Sequence, residues 1–240
     1  MADLAHRSEL PGLRLQAHGM KPLPQPLAGV FFDLDGTLAD SARDMYDALS
    51  ALCDEQGTTP PEFAFVRETV SRGARAVLAC AFADDAAAID AVLPRFIELY
   101  IATGMRHTHL FPGVAELLDK LEARAVRWGV VSNKAAHLVA LVLAALGCQG
   151  RAAAVVGGDT LAQRKPDPAP VRHACELAGV MPAQCLFVGD DPRDIEAGRE
   201  AGLYTIAAGW GYLGGVDPRD WQPDAVADDA GEISGWLGLA

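Results

Sequence analysis

The chain has 240 residues, half of them hydrophobic, enough for one substantial domain or for a core domain carrying a smaller insert. Its formal charge of −12 argues against a nucleic-acid or anionic-membrane surface, which needs clustered Lys and Arg, so any phosphate site here must recruit local cations. Five scattered cysteines (Cys53, Cys80, Cys148, Cys175 and Cys185) form no C-x-x-C pair, which points away from a disulfide framework or zinc knuckle and towards a reducing cytoplasm.

Residues 1–27 contain no apolar run long enough for a signal peptide or a membrane span and read as an extended, poorly ordered lead-in, with Met20 a second candidate start. The short apolar run 28–32 is the pattern of a strand buried on both faces, and it ends in Asp33. From Ser41 to Gln56 the spacing of Met45, Leu49 and Leu52 predicts a helix, capped by Asp40 or Ser41 and stopped by Gly57. Residues 62–104 read as helices only, over 65–70, 75–82, 86–92 and, after a break at Pro94, 95–103. That makes an all-helical insert, placed at 43–107 between core segments 28–42 and 108–240.

After Phe111-Pro112-Gly113 the pattern alternates, with helices over 114–125, 135–146, 168–178 and 191–201. Strands over 128–132, 153–156, 185–188 and 203–207 lie between them, and a last strand near Ala225 and a terminal helix follow. The predicted fold is therefore α/β: a Rossmann-like parallel sheet flanked by helices, interrupted by an all-helical domain.

In such sheets ligands bind outside the carboxyl ends of the strands, where this chain places Asp33 and Asp35, Ser132 and Asn133, and Asp190 and Asp191. Two apart at a strand end, Asp33 and Asp35 point to one side, and carboxylates that close call for a shared proton or a hard divalent cation. Gly36 permits a sharp turn and Thr37 adds a hydroxyl. Read alone, Asp-x-Asp-Gly is equally an ordinary strand-to-loop turn; a calcium loop would need further oxygen ligands and a closing Glu that are missing.

Ser132-Asn133 offers a hydroxyl and an amide to phosphate oxygens, or a cap to the next helix. Lys165, fixed beside Pro166, supplies an ammonium or is a solvated loop residue. Gly189-Asp190-Asp191-Pro192-Arg193-Asp194 sets three carboxylates within five residues. Helix capping accounts for Asp191 and the helix dipole for Asp194, but neither accounts for Asp190 at the strand tip.

In this order, Asp33-Leu34-Asp35-Gly36-Thr37, Ser132-Asn133, Lys165-Pro166 and Gly189-Asp190 with Asp194 resemble the four signature motifs of the haloacid dehalogenase superfamily, over about 28–210. The resemblance implies that Asp33 attacks phosphorus to give an aspartyl phosphate, while Asp35 protonates the leaving oxygen and then activates water. It implies Mg2+ held by Asp33, the backbone carbonyl of Asp35 and Asp190, with Asp191 and Asp194 behind them. Lys165 would offset charge on Asp33, and Thr37, Ser132 and Asn133 with their backbone amides would bind phosphate oxygens. An acid at Asp35 separates the superfamily's phosphatases and phosphomutases from its dehalogenases.

The helical insert resembles the cap of the phosphoglycolate phosphatase and beta-phosphoglucomutase branches, which closes over the site and selects substrate. Arg72 and Arg75 in the run 70–75 would then face a substrate carboxylate, unless they are solvated arginines at a helix start. The runs 71–76, Asn133-Lys134, 189–196 and Gly209-Trp210-Gly211-Tyr212 resemble the phosphoglycolate-phosphatase-related group, which includes N-acetylmuramate 6-phosphate phosphatases, the members they resemble somewhat more closely. The reaction expected is hydrolysis of a small phosphorylated acid or sugar, with a sugar phosphomutase of the beta-phosphoglucomutase type as the alternative. The expected partner is that small metabolite, with no nucleic acid or membrane, for a monomer or homodimer. His107 and His109 read as exposed linker residues, and Trp210 and Tyr212 as packing residues.

Overall fold

The computed structural model describes residues 21–82 and 85–239, so most of the expected lead-in, 1–20, lies outside the described residues. The chain opens with β1 (Gly29–Phe32) and β2 (Ala39–Asp40), then α1 (Ala42–Gln56), α2 (Phe63–Arg67), α3 (Ala74–Phe82) and α4 (Ala86–Ala102). It returns through β3 (His109–Leu110), α5 (Val114–Ala123), β4 (Arg127–Val131), α6 (Ala136–Ala145), β5 (Ala154–Val156) and α7 (Ala169–Ala178). It ends with β6 (Cys185–Gly189), α8 (Pro192–Ala201), β7 (Tyr204–Ala208), β8 (Ala225–Ala227) and α9 (Ala230–Trp236).

The main sheet has six parallel strands in the order β5-β4-β1-β6-β7-β8. All four residues of β1 are buried, and their side chains alternate between two cores. Val30 and Phe32 pack into one with Trp128 and Val188, and Phe31 into the other with Phe187 and Val171. Helices α7 and α8 cover the second face, while α5 and α9 pack together on the opposite side. Strand order reverses at β1, and its pairing sets Phe32 opposite both Val130 and Val188. The tips of β1, β4 and β6 therefore share one crevice at the switch point.

The helices α1 to α4 pack on one another between β2 and β3, and those two short strands pair antiparallel to close the insert. Neither short strand is anticipated from sequence, because two residues carry no periodicity. Residues 86–102 form one helix that runs through Pro94, where a break is expected from sequence. Ile89, Phe96 and Tyr100 recur on one buried stripe against α1 and α3, and that burial outweighs the ladder bond Pro94 forgoes. The helix expected over 65–70 is instead α2 followed by a 3-10 turn at Val70–Arg72. Among the described residues no helix is long and apolar enough to cross a membrane.

Candidate active site

The site starts where β1 ends. The Asp33 amide donates to Val188 O (2.9 Å) and the Ser132 amide to Val156 O (2.9 Å), so each strand ladder carries its polar residue to the crevice before releasing it. Leu34 is fully buried and turns away, and the chain folds back at once, with Gly36 N on Ala39 O (3.0 Å) and Ala39 N on Leu34 O (2.9 Å). Gly36 has φ +89°, and a Cβ there would overlap the Asp190 carboxylate. A Cβ on Gly211 would overlap Asp190 from the other side, so Asp190 is wedged between two positions that only glycine fills.

Asp33, Asp190 and Asp194 are all buried, and one carboxylate oxygen from each lies within 4.8 Å of the others. Lys165 Nζ spends its three protons on Asp33 Oδ1 (2.8 Å), Asp194 Oδ1 (2.7 Å) and Val131 O (2.7 Å). Burial works to discharge Lys165, but Asp194 and Asp33 outweigh it and hold its pKa above the usual lysine value. Three carboxylates thus face one ammonium. Asp190 is pushed up to about 7, first by burial and then by repulsion from Asp33, although Ser71, the Tyr212 amide and Thr37 all donate to it. Asp194 is driven in the same direction by burial, with Lys165 opposing.

A buried all-oxygen donor set that still resists its own ionisation is short of positive charge, which suits a hard divalent cation. Ser71 Oγ stands 2.6 Å from Asp190 Oδ2 and 3.1 Å from the backbone carbonyl of Asp35, so that carbonyl borders the same cluster.

The Asp35 carboxylate points elsewhere. Its Oδ1 accepts from Ser41 Oγ (2.5 Å) and from Lys134 Nζ (2.8 Å). Lys134 also donates to the Tyr100 hydroxyl (3.0 Å) from α4 and stands 4.7 Å over its ring. Burial acts against charge on Lys134, but Asp35 foremost keeps its pKa above the usual value. Further contacts dock the helical insert: Arg193 Nη2 donates to Ser71 O (3.0 Å) and Gly214 N to Glu68 Oε2 (2.9 Å).

Several residues do work other than the sequence suggests. Thr37 is fully buried and donates to Asp190 Oδ1 (2.8 Å), so its hydroxyl orients an acid and is withheld from phosphate. The side chain of Asn133 brackets the Lys165 backbone, Nδ2 on its carbonyl (2.9 Å) and Oδ1 under its amide (3.0 Å), and so positions Lys165. Ser132 lines the crevice, although Oγ also accepts from Lys134 N (3.2 Å). Asp194 belongs to the carboxylate cluster itself, whereas Asp191 caps α8 and pairs with Arg193. Arg72 and Arg75 line the crevice; Arg75 pairs with Asp90 at its rim, and Arg72 forms no ion pair among the described residues.

His109 is exposed, while Tyr212 is buried and holds the entry to α1 through Asp40, Ser41 and Ala42. Sequence reasoning misses Ser41, Tyr100, Lys134 and Arg193. Lys134 carries a signal, an ammonium two residues beyond Ser132 at a strand tip, but Tyr100 carries none beyond helical spacing. Above the acids opens a cavity of about 540 Å³, with Lys134, Arg72 and Arg75 on its polar side and Leu93, Phe96, Ile97 and Leu138 on its apolar side.

A family model described as haloacid dehalogenase-like hydrolase matches residues 30–208. The chain is 47% identical over 206 residues to a phosphoglycolate phosphatase of Xanthomonas campestris, covering 85% of this chain and 93% of that protein. It is 40% identical over 210 residues to an N-acetylmuramic acid 6-phosphate phosphatase of Pseudomonas putida, covering 86% and 94%. The crystal structure of a predicted phosphoglycolate phosphatase from Haemophilus somnus superposes with a TM-score of 0.78 at 28% identity, covering 87% of this chain and 97% of that one.

Proposed function

Because the chain belongs to the haloacid dehalogenase-like hydrolase family, as one of its phosphatases, we propose that it is a magnesium-dependent phosphomonoesterase acting through an aspartyl phosphate on Asp33. The observation that carries this reading is the buried cluster of Asp33, Asp190, Asp194 and Lys165 with Asp35 beside it on the cavity floor. Asp33, the Asp35 carbonyl, Asp190 and Asp194 would hold the ion, which when bound offsets charge on the phosphoryl group and on Asp33.

Asp33 attacks phosphorus while the bond to the leaving oxygen breaks, and Asp35 gives that oxygen a proton. Asp35 then takes a proton from water as the water attacks the phosphorus on Asp33, freeing inorganic phosphate and restoring the carboxylate. Lys165 offsets the charge of Asp33 throughout, and Ser132 stands where it can donate to a phosphoryl oxygen. The helical segment 43–107 acts as the cap, excluding bulk water and choosing the substrate.

The substrate proposed is a phosphomonoester that also carries a carboxylate, as do both substrates in the relatives' names. Between those two, the cavity favours the larger. A volume of about 540 Å³ with an apolar wall on α4 and α6 suits an acylated sugar acid better than a two-carbon acid. The test is phosphate release from N-acetylmuramate 6-phosphate, 2-phosphoglycolate and common sugar phosphates, with magnesium and with chelator. The highest kcat/KM on a carboxylated ester, lost with chelator, is the expected result. Turnover that survives complete metal removal would contradict the site assignment, and a requirement for an activating bisphosphate would contradict hydrolysis.

A further inference from the structure

We propose that Lys134 is a positioning residue for proton transfer: with Ser41 it saturates Oδ1 of Asp35, making Oδ2 the oxygen that carries the proton, and Tyr100 ties this arrangement to the cap. The inference rests on the reading of Asp35 as the general acid. Both donors to the Asp35 carboxylate, Ser41 Oγ at 2.5 Å and Lys134 Nζ at 2.8 Å, converge on Oδ1. Among the described residues Oδ2 accepts no hydrogen bond, and Asp35 lines the cavity. A proton on Oδ1 would face the Lys134 ammonium, which can only donate, and would oblige the Ser41 hydroxyl to turn its own hydrogen away, so the acid form places the proton on Oδ2.

Lys134 does a second thing in the same step. As the bond from phosphorus to the leaving oxygen breaks, that oxygen keeps the electron pair and takes the proton from Oδ2, and negative charge grows on the Asp35 carboxylate. The ammonium 2.8 Å from Oδ1 is already in place to meet it. In the reverse transfer, when Asp35 takes a proton from water, the same ammonium gives no help. Lys134 thus belongs to leaving-group departure more than to dephosphorylation.

Its aim depends on the cap. Lys134 follows the β4 tip on the core, and among the described residues the only other side-chain oxygen holding its ammonium belongs to Tyr100 of α4. Tyr100 is buried and fixed in the α4 stripe with Ile89 and Phe96, so its hydroxyl is a rigid post on the cap side. Cap docking and the direction of the Asp35 donor are linked by one ammonium.

The experiment compares kcat/KM on N-acetylmuramate 6-phosphate and 2-phosphoglycolate, alkyl esters whose alkoxides need a proton, with kcat/KM on p-nitrophenyl phosphate, whose phenolate does not. Lys134→Met should lower the alkyl values about 100-fold, in the range general acid catalysis supplies, while p-nitrophenyl phosphate falls by less than about 5-fold. Tyr100→Phe should discriminate in the same direction by about 5-fold, and Lys134→Arg should recover most of the alkyl activity. Retained turnover of p-nitrophenyl phosphate doubles as proof of folding, and Tyr100→Phe supplies the comparison should Lys134→Met not fold. Equal losses on both ester types would overturn the inference. Asp35→Asn separates the two layers: discrimination by Asp35→Asn but not by the Lys134 and Tyr100 variants removes the positioning role alone. No discrimination by Asp35→Asn removes the acid assignment and this inference with it.

Discussion

Magnesium should stabilise this protein far more at neutral than at acidic pH. Burial lifts Asp190 from the ordinary aspartate value of 3.8 to about 7 and moves Asp194 the same way. A carboxyl whose folded pKa lies above its unfolded one binds its proton more tightly when folded. Its contribution is therefore complete below about pH 4 and is lost as pH rises through about 7. For Asp190 alone that loss is ~4 kcal/mol, spread over a cluster whose protons belong to the group as a whole.

A cation in the cluster takes over from the protons. At a hundredfold excess over its Kd it adds about 2.7 kcal/mol, or roughly 5–10 °C of Tm for a chain of this size. Melting curves at about pH 5 and pH 8, in chelator and in magnesium, read this directly. In chelator Tm should fall between the two pH values. Added magnesium should shift it little at the lower and by several degrees at the higher, and Asp190→Asn should flatten both trends. A magnesium shift of equal size at both pH values, or one that Asp190→Asn leaves intact, would refute the argument.

Asp33→Asn should lower turnover by on the order of 10⁴-fold or more and leave no phosphoryl group on the protein after incubation with labelled substrate; full activity would end its assignment as nucleophile. Lys165→Met leaves Asp33 and Asp194 without their shared ammonium, so the metal-free protein should lose about 3–5 kcal/mol in denaturant unfolding, with magnesium restoring part of it. Pro94→Ala should raise stability by about 1–3 kcal/mol, because it returns a ladder bond to a helix that already continues through the position. A destabilised Pro94→Ala variant would mean that the Pro94 ring itself shapes the apolar wall formed by Leu93, Phe96 and Ile97.

What the sequence makes legible is the part of the site in which residue type and strand end coincide. Asp33 and Asp190 are charged residues directly after apolar runs, and a charge at the tip of a buried strand has few reasons to be there except chemistry. Thr37 and Asn133 sit in equally suggestive places, yet Thr37 is claimed by Asp190 across 153 positions and Asn133 by the Lys165 backbone across 32. Nothing local decides such a competition. A hydroxyl beside a phosphate site and a hydroxyl that orients an acid have the same sequence, and the crossover that brings β6 beside β1 selects between them.

For the same physical reason the role of Lys134 is not legible in the sequence while that of Lys165 is. Pro166 marks Lys165 as fixed, whereas the partners of Lys134 come from the β1 turn and from the last turn of α4, a helix whose continuity through Pro94 runs against its own local signal. The acid's donor geometry depends on Tyr100 standing in register with Phe96 and Ile89, and that register exists because burial outweighed the helix-breaking preference of one residue. Local propensity and packing disagree at Pro94, packing wins, and the result is felt about two turns further along the helix, at the ammonium that faces Asp35.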